Sequence, residues 1–201
     1  MLNLQQMRKI TEQKIGRRSL LEEQLVEKQD RLDKKKELLE NTIKAGAIIQ
    51  IVAKETQRNI EYHISNLVTM ALAAVFPDPY EFQLRFIERR NSIEADLIFL
   101  KNGNETDDIL NTGGGGVADI ASFALRIALW SLKKNRPVFI LDEPDKFLHS
   151  PTYQEKASEM MKEICKRLKV QIIMISDQPN IIAAADKEIR ISIERGVSYA
   201  S

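Results

Sequence analysis

The sequence predicts an α/β fold entered through a long coiled-coil helix. Residues 5–57 are a proline-free run of Glu, Lys, Gln, Leu and Arg, and residues 113–176 alternate apolar helix with apolar strand. A third feature, the acidic pair Asp142–Glu143 directly after the apolar run Val138–Leu141, places a candidate site at the carboxyl edge of a parallel sheet.

In the first element Leu25, Leu32 and Leu39 repeat every seven residues with Leu21 and Leu38 beside them, while Lys28 and Lys35 fill the alternate seam positions. So narrow and half-polar a stripe needs a second strand, from another chain or from a segment outside this one. We place this coiled-coil strand at 1–58 and the domain it enters at 59–201. ISNLVTMALAAVF then reads as a separate core-packing helix ended by Pro77 and Pro79. YEFQLRFIE and IEADLIFLK alternate polar and apolar residues around the turn RRNS, the pattern of a two-stranded hairpin. Beyond the glycines Gly113–Gly116 the order is helix (VADIASFALRIALWSL), fully buried strand (VFILD), helix to about Leu168, buried strand (VQIIMIS), loop, and a hairpin-like IRISIERGVSYA.

Composition narrows the function classes. Thirty basic and 29 acidic side chains leave a net charge of +1, so any nucleic-acid contact must be local. One cysteine, Cys165, and two histidines, His63 and His149, offer neither a disulfide framework nor a metal cluster. The N-terminal residues lack a signal-peptide core, and apolar patches such as ALAAVF and VFIL fall short of the ~20 residues that cross a bilayer. These features predict a cytoplasmic protein with no membrane partner.

Chemistry concentrates at two motifs. After a buried strand in a phosphoryl-transfer site, the first carboxylate holds the Mg²⁺ shell and a neighbour orients the attacking water, jobs that fit Asp142 and Glu143. Taken alone, the pair could equally be a strand ending in solvated acids. The four glycines stand before a long apolar helix, where backbone amides and the helix N-terminus can receive a phosphate, although in isolation they could be a flexible turn. The joint order of glycine loop, helix, strand, Asp-Glu-Pro, helix and strand is far rarer than its parts.

That order resembles the C-terminal lobe of ABC-type (P-loop NTPase) ATPase heads, and the long helix points to their SMC-like branch. YEFQLRF, TGGGGVADIASFALRIAL and PVFILDEPDKFL are most similar to the large ATPase subunits of recombination and double-strand-break-repair exonucleases, of the SbcC type or from bacteriophages. The likeness covers roughly residues 60–199. It implies a signature motif at Thr112, Gly113, Gly114, Gly115 and Gly116 that touches ATP held by an opposing head. It further implies a Walker B strand ending in Asp142, Glu143 as catalytic glutamate, a D-loop from Asp145 to His149, and a switch-loop position at Asp177. Arg126, on the signature helix, is a secondary candidate for transmitting nucleotide state, with local pairing as its plainer role.

Three positions depart from the pattern. The usual signature serine falls on Thr112 or on Gly114, depending on how the glycines align. His149 stands where many relatives have aspartate, and Asp177 where many have histidine. A larger departure is that no G-x-x-x-x-G-K-[ST] occurs in the sequence, so the cradle for the β- and γ-phosphates is missing. The implied cofactors, ATP and Mg²⁺, therefore require a Walker A lobe of the same or a split protein, and the isolated chain is expected to be inactive or very weak. A homodimer of heads, DNA and a nuclease subunit complete the implied partners, with host cytoplasm as location if the source is a phage. The competing function is a non-hydrolysing, nucleotide-dependent dimerisation module of a chromosome-organising protein. A transporter motor fits poorly, because it would not carry a long coiled-coil helix ahead of the lobe. Phe123, Leu125, Ile127, Leu129 and Trp130 read as core, and Cys165 as packing rather than a catalytic thiol.

Overall fold

The computed structural model describes residues 3–90, 92–133 and 135–201. They divide into two compact units, Met1–Thr56 and Gln57–Ser201. Helix α1 (Leu4–Val75) contributes all the described regular structure of the first unit and its last turns to the second. The expected break between coiled coil and core helix is absent, because nothing between Gly46 and Pro77 interrupts helical hydrogen bonding. All described residues up to Thr56 are exposed, the leucines of the heptad stripe included.

In the second unit α1 buries Ile64, Val68, Leu72 and Val75, one helical face at spacings of three and four. Against it lies an antiparallel sheet, β1 (Glu81–Arg89), β2 (Ser92–Lys101) and β3 (Asn104–Thr106), in the order β1-β2-β3. The third strand was not anticipated; it is three residues long, and the turn feeding it has Asn102 and Gly103 at positive φ. Asn91, in the expected RRNS turn, lies outside the described residues.

The free edge of β1 is closed by side chains rather than by a strand. Thr69 Oγ1 accepts the Phe82 N–H at 2.9 Å, Ser65 Oγ that of Leu84 at 2.9 Å, and Glu61 Oε1 that of Phe86 at 2.6 Å. Four residues of helix advance ~6 Å and two of strand ~6.6 Å, so the two ladders stay in step for three rungs. An edge that would otherwise template foreign strands is thereby occupied.

The remaining elements are α2 (Ile109–Thr112), α3 (Gly115–Leu132), β4 (Val138–Asp142), α4 (Pro151–Leu168), β5 (Gln171–Ile175), α5 (Pro179–Ala183), β6 (Ile191–Glu194) and β7 (Val197–Ala200). Val117, Ile120, Ala121 and Ala124 of α3 join the core begun by α1 and β1. By length and a mean hydropathy of 1.3, α3 could cross a membrane, which the short apolar patches of the sequence did not foretell; Val117, Ile120, Ala121, Phe123, Ala124, Ile127 and Ala128 are buried in the core. Leu129 is a correction, since it is 52% exposed rather than core.

β4 and β5 pair in parallel, Val138 with Gln171, Ile140 with Ile173 and Asp142 with Ile175. One face of the pair, Phe139, Leu141, Ile172 and Met174, packs on Phe123 and Ile127 of α3 and Met161 and Ile164 of α4. The other face is bare: Ile140 is 80% exposed, Ile175 65% and Ile173 50%. These strands are therefore not fully buried as the sequence predicts, because helices cover only one side of them. β6 and β7 form the expected terminal hairpin as a separate two-stranded sheet.

Candidate functional site

The bare face of β4–β5 ends at Asp142, which shares it with Ile140, Ile173 and Ile175 by the register and the two-residue side-chain period. The next residue, Glu143, carries the parallel ladder one step further by donating its N–H to the Ile175 carbonyl at 3.0 Å. It does so at a φ of +41°, an uncommon conformation for a side-chain-bearing residue that swings its carboxylate out of the strand. That carboxylate pairs with Lys146 Nζ at 2.9 Å, which raises the lysine pKa.

Asp145 is 1% exposed. Its Oδ2 accepts the Ser176 hydroxyl at 2.7 Å, while Oδ1 has no hydrogen-bond partner among the described residues. Burial pushes this carboxyl above the ordinary range, with the Ser176 hydrogen bond pulling the other way and Asp177 and Glu143 adding repulsion. Asp177 itself is exposed and accepts Gln178 Nε2 at 2.8 Å. Gln178 Oε1 receives Gln154 Nε2, which also reaches the Leu148 carbonyl at 2.7 Å, so the segment around Asp177 and the loop after β4 share one polar network. His149 is exposed at the end of that loop, and Arg126 is exposed on α3.

The glycines divide by role. Gly113 has the Ile109 and Tyr80 side chains against it: a Cβ would stand 2.5 Å from Ile109 Cδ1. Gly115 lies against Phe147, 2.5 Å from Cβ to Cβ had it one, and Gly116 against Leu148 and the Phe147 carbonyl. Only Gly114 faces open space, and its φ of +84° is the one that glycine alone adopts readily. Three of the four glycines thus serve close packing, a use not anticipated from the sequence. Thr112 is held from both sides: its hydroxyl donates to the Asp108 carbonyl at 2.7 Å, and its carbonyl accepts Tyr80 OH at 3.1 Å. With that hydroxyl proton engaged, only backbone amides of the loop could receive an anion, and α3 begins with no acidic residue in its first turn and no side-chain cap.

The helix bearing the glycines is tied to the loop bearing the acids. Asp119 Oδ2 accepts the Phe147 N–H at 2.7 Å, and burial raises the Asp119 pKa against that bond. Asp119, Ser176 and Gln154 were missed in the sequence, and Lys146 was covered only as part of the D-loop span; for Asp119 the available signal was a single acid in the apolar stretch VADIASFAL. Burial also pushes the Cys165 thiol up, away from reactive thiolate character.

Among the described residues no group of three His, Cys, Asp or Glu could hold a metal ion. One carboxylate, Asp142, fits Mg²⁺, which is commonly bound through one or two carboxylates plus substrate phosphates and water. Among the described residues, a recess on β1–β3 and another along α1 are lined by none of these site residues.

No protein-family model matches the sequence. No curated protein matches it either. Among solved structures the chain is similar to the Smc head domain with a coiled coil and joint from Pyrococcus yayanosii, with a TM-score of 0.69 and 22% identity over 97% of this chain and 36% of that one. It is also similar to the Smc head with an extended coiled coil, bound to the C-terminal domain of ScpA, from Pyrococcus furiosus (TM-score 0.59, 22% identity, 96% and 50% covered). A third likeness is to a chain from work on ATP-driven dimerization and DNA-stimulated activation of SMC ATPases (TM-score 0.55, 22% identity, 74% and 87% covered). The chain thus spans half or less of the two Pyrococcus heads. The fold is that of an SMC head's C-terminal lobe with its coiled-coil helix.

Proposed function

We propose that this chain is the signature-bearing half of an SMC-like ATPase head, binding and hydrolysing ATP only when joined to a Walker A lobe and faced by a second head. The observation that carries this reading is the bare apolar face of β4–β5. Ile140, Ile173 and Ile175 need a covering layer, and the same face ends in Asp142, so whatever covers it arrives beside the acidic pair. A phosphate-binding lobe supplied by another segment of the polypeptide or by a separate chain meets both needs.

In the assembled site Asp142 would hold the water shell of Mg²⁺, which would supply neutralisation of phosphate charge there. Glu143 releases Lys146 and accepts a proton from the attacking water. Gly115 and Gly116 at the start of α3 present amides to the γ-phosphate on the opposing head, the Gly113 and Gly114 N–H groups being spent on the Ile109 carbonyl, with Thr112 shaping that loop. His149 and Asp177 line the approach, and the buried Asp145 fixes the loop through Ser176. Arg126, exposed on α3, serves as a secondary residue that transmits nucleotide state. The resemblance of TGGGGVADIASFALRIAL and PVFILDEPDKFL to recombination exonuclease subunits supports a role in DNA double-strand-break processing with a nuclease partner. Two observations favour the non-hydrolysing reading: Glu143 is already paired with Lys146, and Asp177 brings a further carboxylate near the site.

The test is Glu143→Gln in heads assembled with their Walker A lobe. ATP and Mg²⁺ should accumulate a stable dimer by sedimentation while turnover falls by about 10²-fold or more, the scale of a lost general base. Unaltered turnover removes Glu143 from this role. A head of unaltered sequence without any Mg²⁺-dependent turnover selects the dimerisation module.

A further inference from the structure

The glycine loop and the acidic loop of this lobe are fastened to one another. The Asp119 carboxylate, in the second turn of α3, holds the Phe147 N–H at 2.7 Å; Gly115 closes on Phe147 with no room for a Cβ, and Gly116 packs tightly on Leu148 and the Phe147 carbonyl. From Phe147 the chain leads back at once to Glu143: the Lys146 N–H donates to the Glu143 carbonyl at 3.3 Å and Lys146 Nζ to its carboxylate. Glu143 stands at positive φ, a conformation that persists only where its surroundings impose it. On the far side, Asp145 is pinned to Ser176.

An acid near a helix start often does no more than complement the helix dipole. Asp119 does something else, since its carboxylate is half-buried and spent on a backbone amide 28 residues away. On the composite-site reading, the glycine amides of a lobe touch nucleotide held by the other head, whereas Glu143 acts on nucleotide held by its own. We infer that Asp119 is a positioning residue joining the two sites: by holding the Phe147 amide, it makes a γ-phosphate seated on the glycine loop set the placement of Glu143 in the same lobe. This deepens the proposed function and rests on it.

The experiment compares assembled heads in which both sites, or only one, can bind ATP, the second being disabled in its Walker A lobe. With Asp119 present, one-site dimers should turn over about fivefold or more below two-site dimers, the lower end of ordinary coupling between sites. Asp119→Ala should bring the one-site rate to half the two-site rate while leaving KM for ATP unchanged. Asp119→Asn, which keeps an oxygen for the Phe147 N–H, should retain the coupling. The inference is overturned if Asp119→Ala keeps the unaltered ratio, if Asn behaves as Ala, or if one-site dimers of unaltered sequence already run at half rate. Should the Ala variant fail to fold, hydrogen exchange of the Phe147 amide in unaltered heads decides: it slows when ATP occupies the glycine loop, or the inference falls. Absence of hydrolysis in unaltered two-site heads instead removes the composite-site reading itself, and this inference with it.

Discussion

Replacing Gly115 by alanine tests whether the glycine loop is built for packing as well as for phosphate. The added Cβ would lie 2.5 Å from Phe147 Cβ, 2.6 Å from Cγ and 3.0 Å from Cδ2. Carbon atoms rest ~3.5–4.0 Å apart, so either the start of α3 or the Phe147 segment must retreat by about 1 Å. The ring is 52% exposed and can swing, but Cβ moves only with the backbone, and that backbone is held by Asp119. Overpacking of this kind costs ~1–3 kcal/mol, less at most ~1 kcal/mol regained by replacing glycine in a helix. For a chain of this size each kcal/mol moves Tm by ~2–4 °C, so a central cost of about 2 kcal/mol, net about 1–2 kcal/mol after that gain, lowers it by about 2–8 °C. Scanning calorimetry of the 201-residue chain measures this without any partner. Gly116→Ala, whose nearest contacts are 3.2 and 3.3 Å, should lose less. Combining Gly115→Ala with Phe147→Gly should recover most of the loss. A Gly115→Ala chain as stable as the unaltered one, or a double variant that recovers nothing, refutes the packing argument.

Three further outcomes are expected. Asp145 and Asp119 both have pKa values raised by burial, so each contributes stability that is full below the ordinary Asp value of 3.8 and is lost as pH rises through the raised value; Asp145→Asn should therefore raise Tm at neutral pH and flatten its pH dependence, and an unchanged slope would contradict this. Thr69→Val removes the acceptor for the Phe82 N–H on the β1 edge and should cost ~1–3 kcal/mol in urea unfolding; a neutral result would mean that edge is satisfied otherwise. Lys146→Gln frees the Glu143 carboxylate of an exposed pair and should raise turnover of assembled heads by about two- to fivefold, with a fall in turnover counting against the pairing as a brake.

The local chemistry of this chain was legible in its residues. Helix composition placed α1, alternation placed β1 and β2, and the run into Asp142–Glu143 placed the acidic pair at a strand's carboxyl end, because each signal depends on neighbours within a few positions. What depended on distant partners was not legible. An apolar run such as VFIL reads alike whether one or both faces are covered, and only the packing of α3 and α4 on a single side revealed Ile140 and Ile173 as bare. Glycines read alike whether they free a backbone or admit a neighbour, and only Phe147, arriving from more than thirty residues away, separated Gly115 from Gly114. Asp119 and Asp145 took their meaning from an amide and a hydroxyl that the fold carries to them. Sequence fixes what a residue can donate, accept or fill; tertiary structure alone decides which group stands within 3 Å to receive it, because hydrogen bonds and packing fall away over distances far shorter than those the chain must cross.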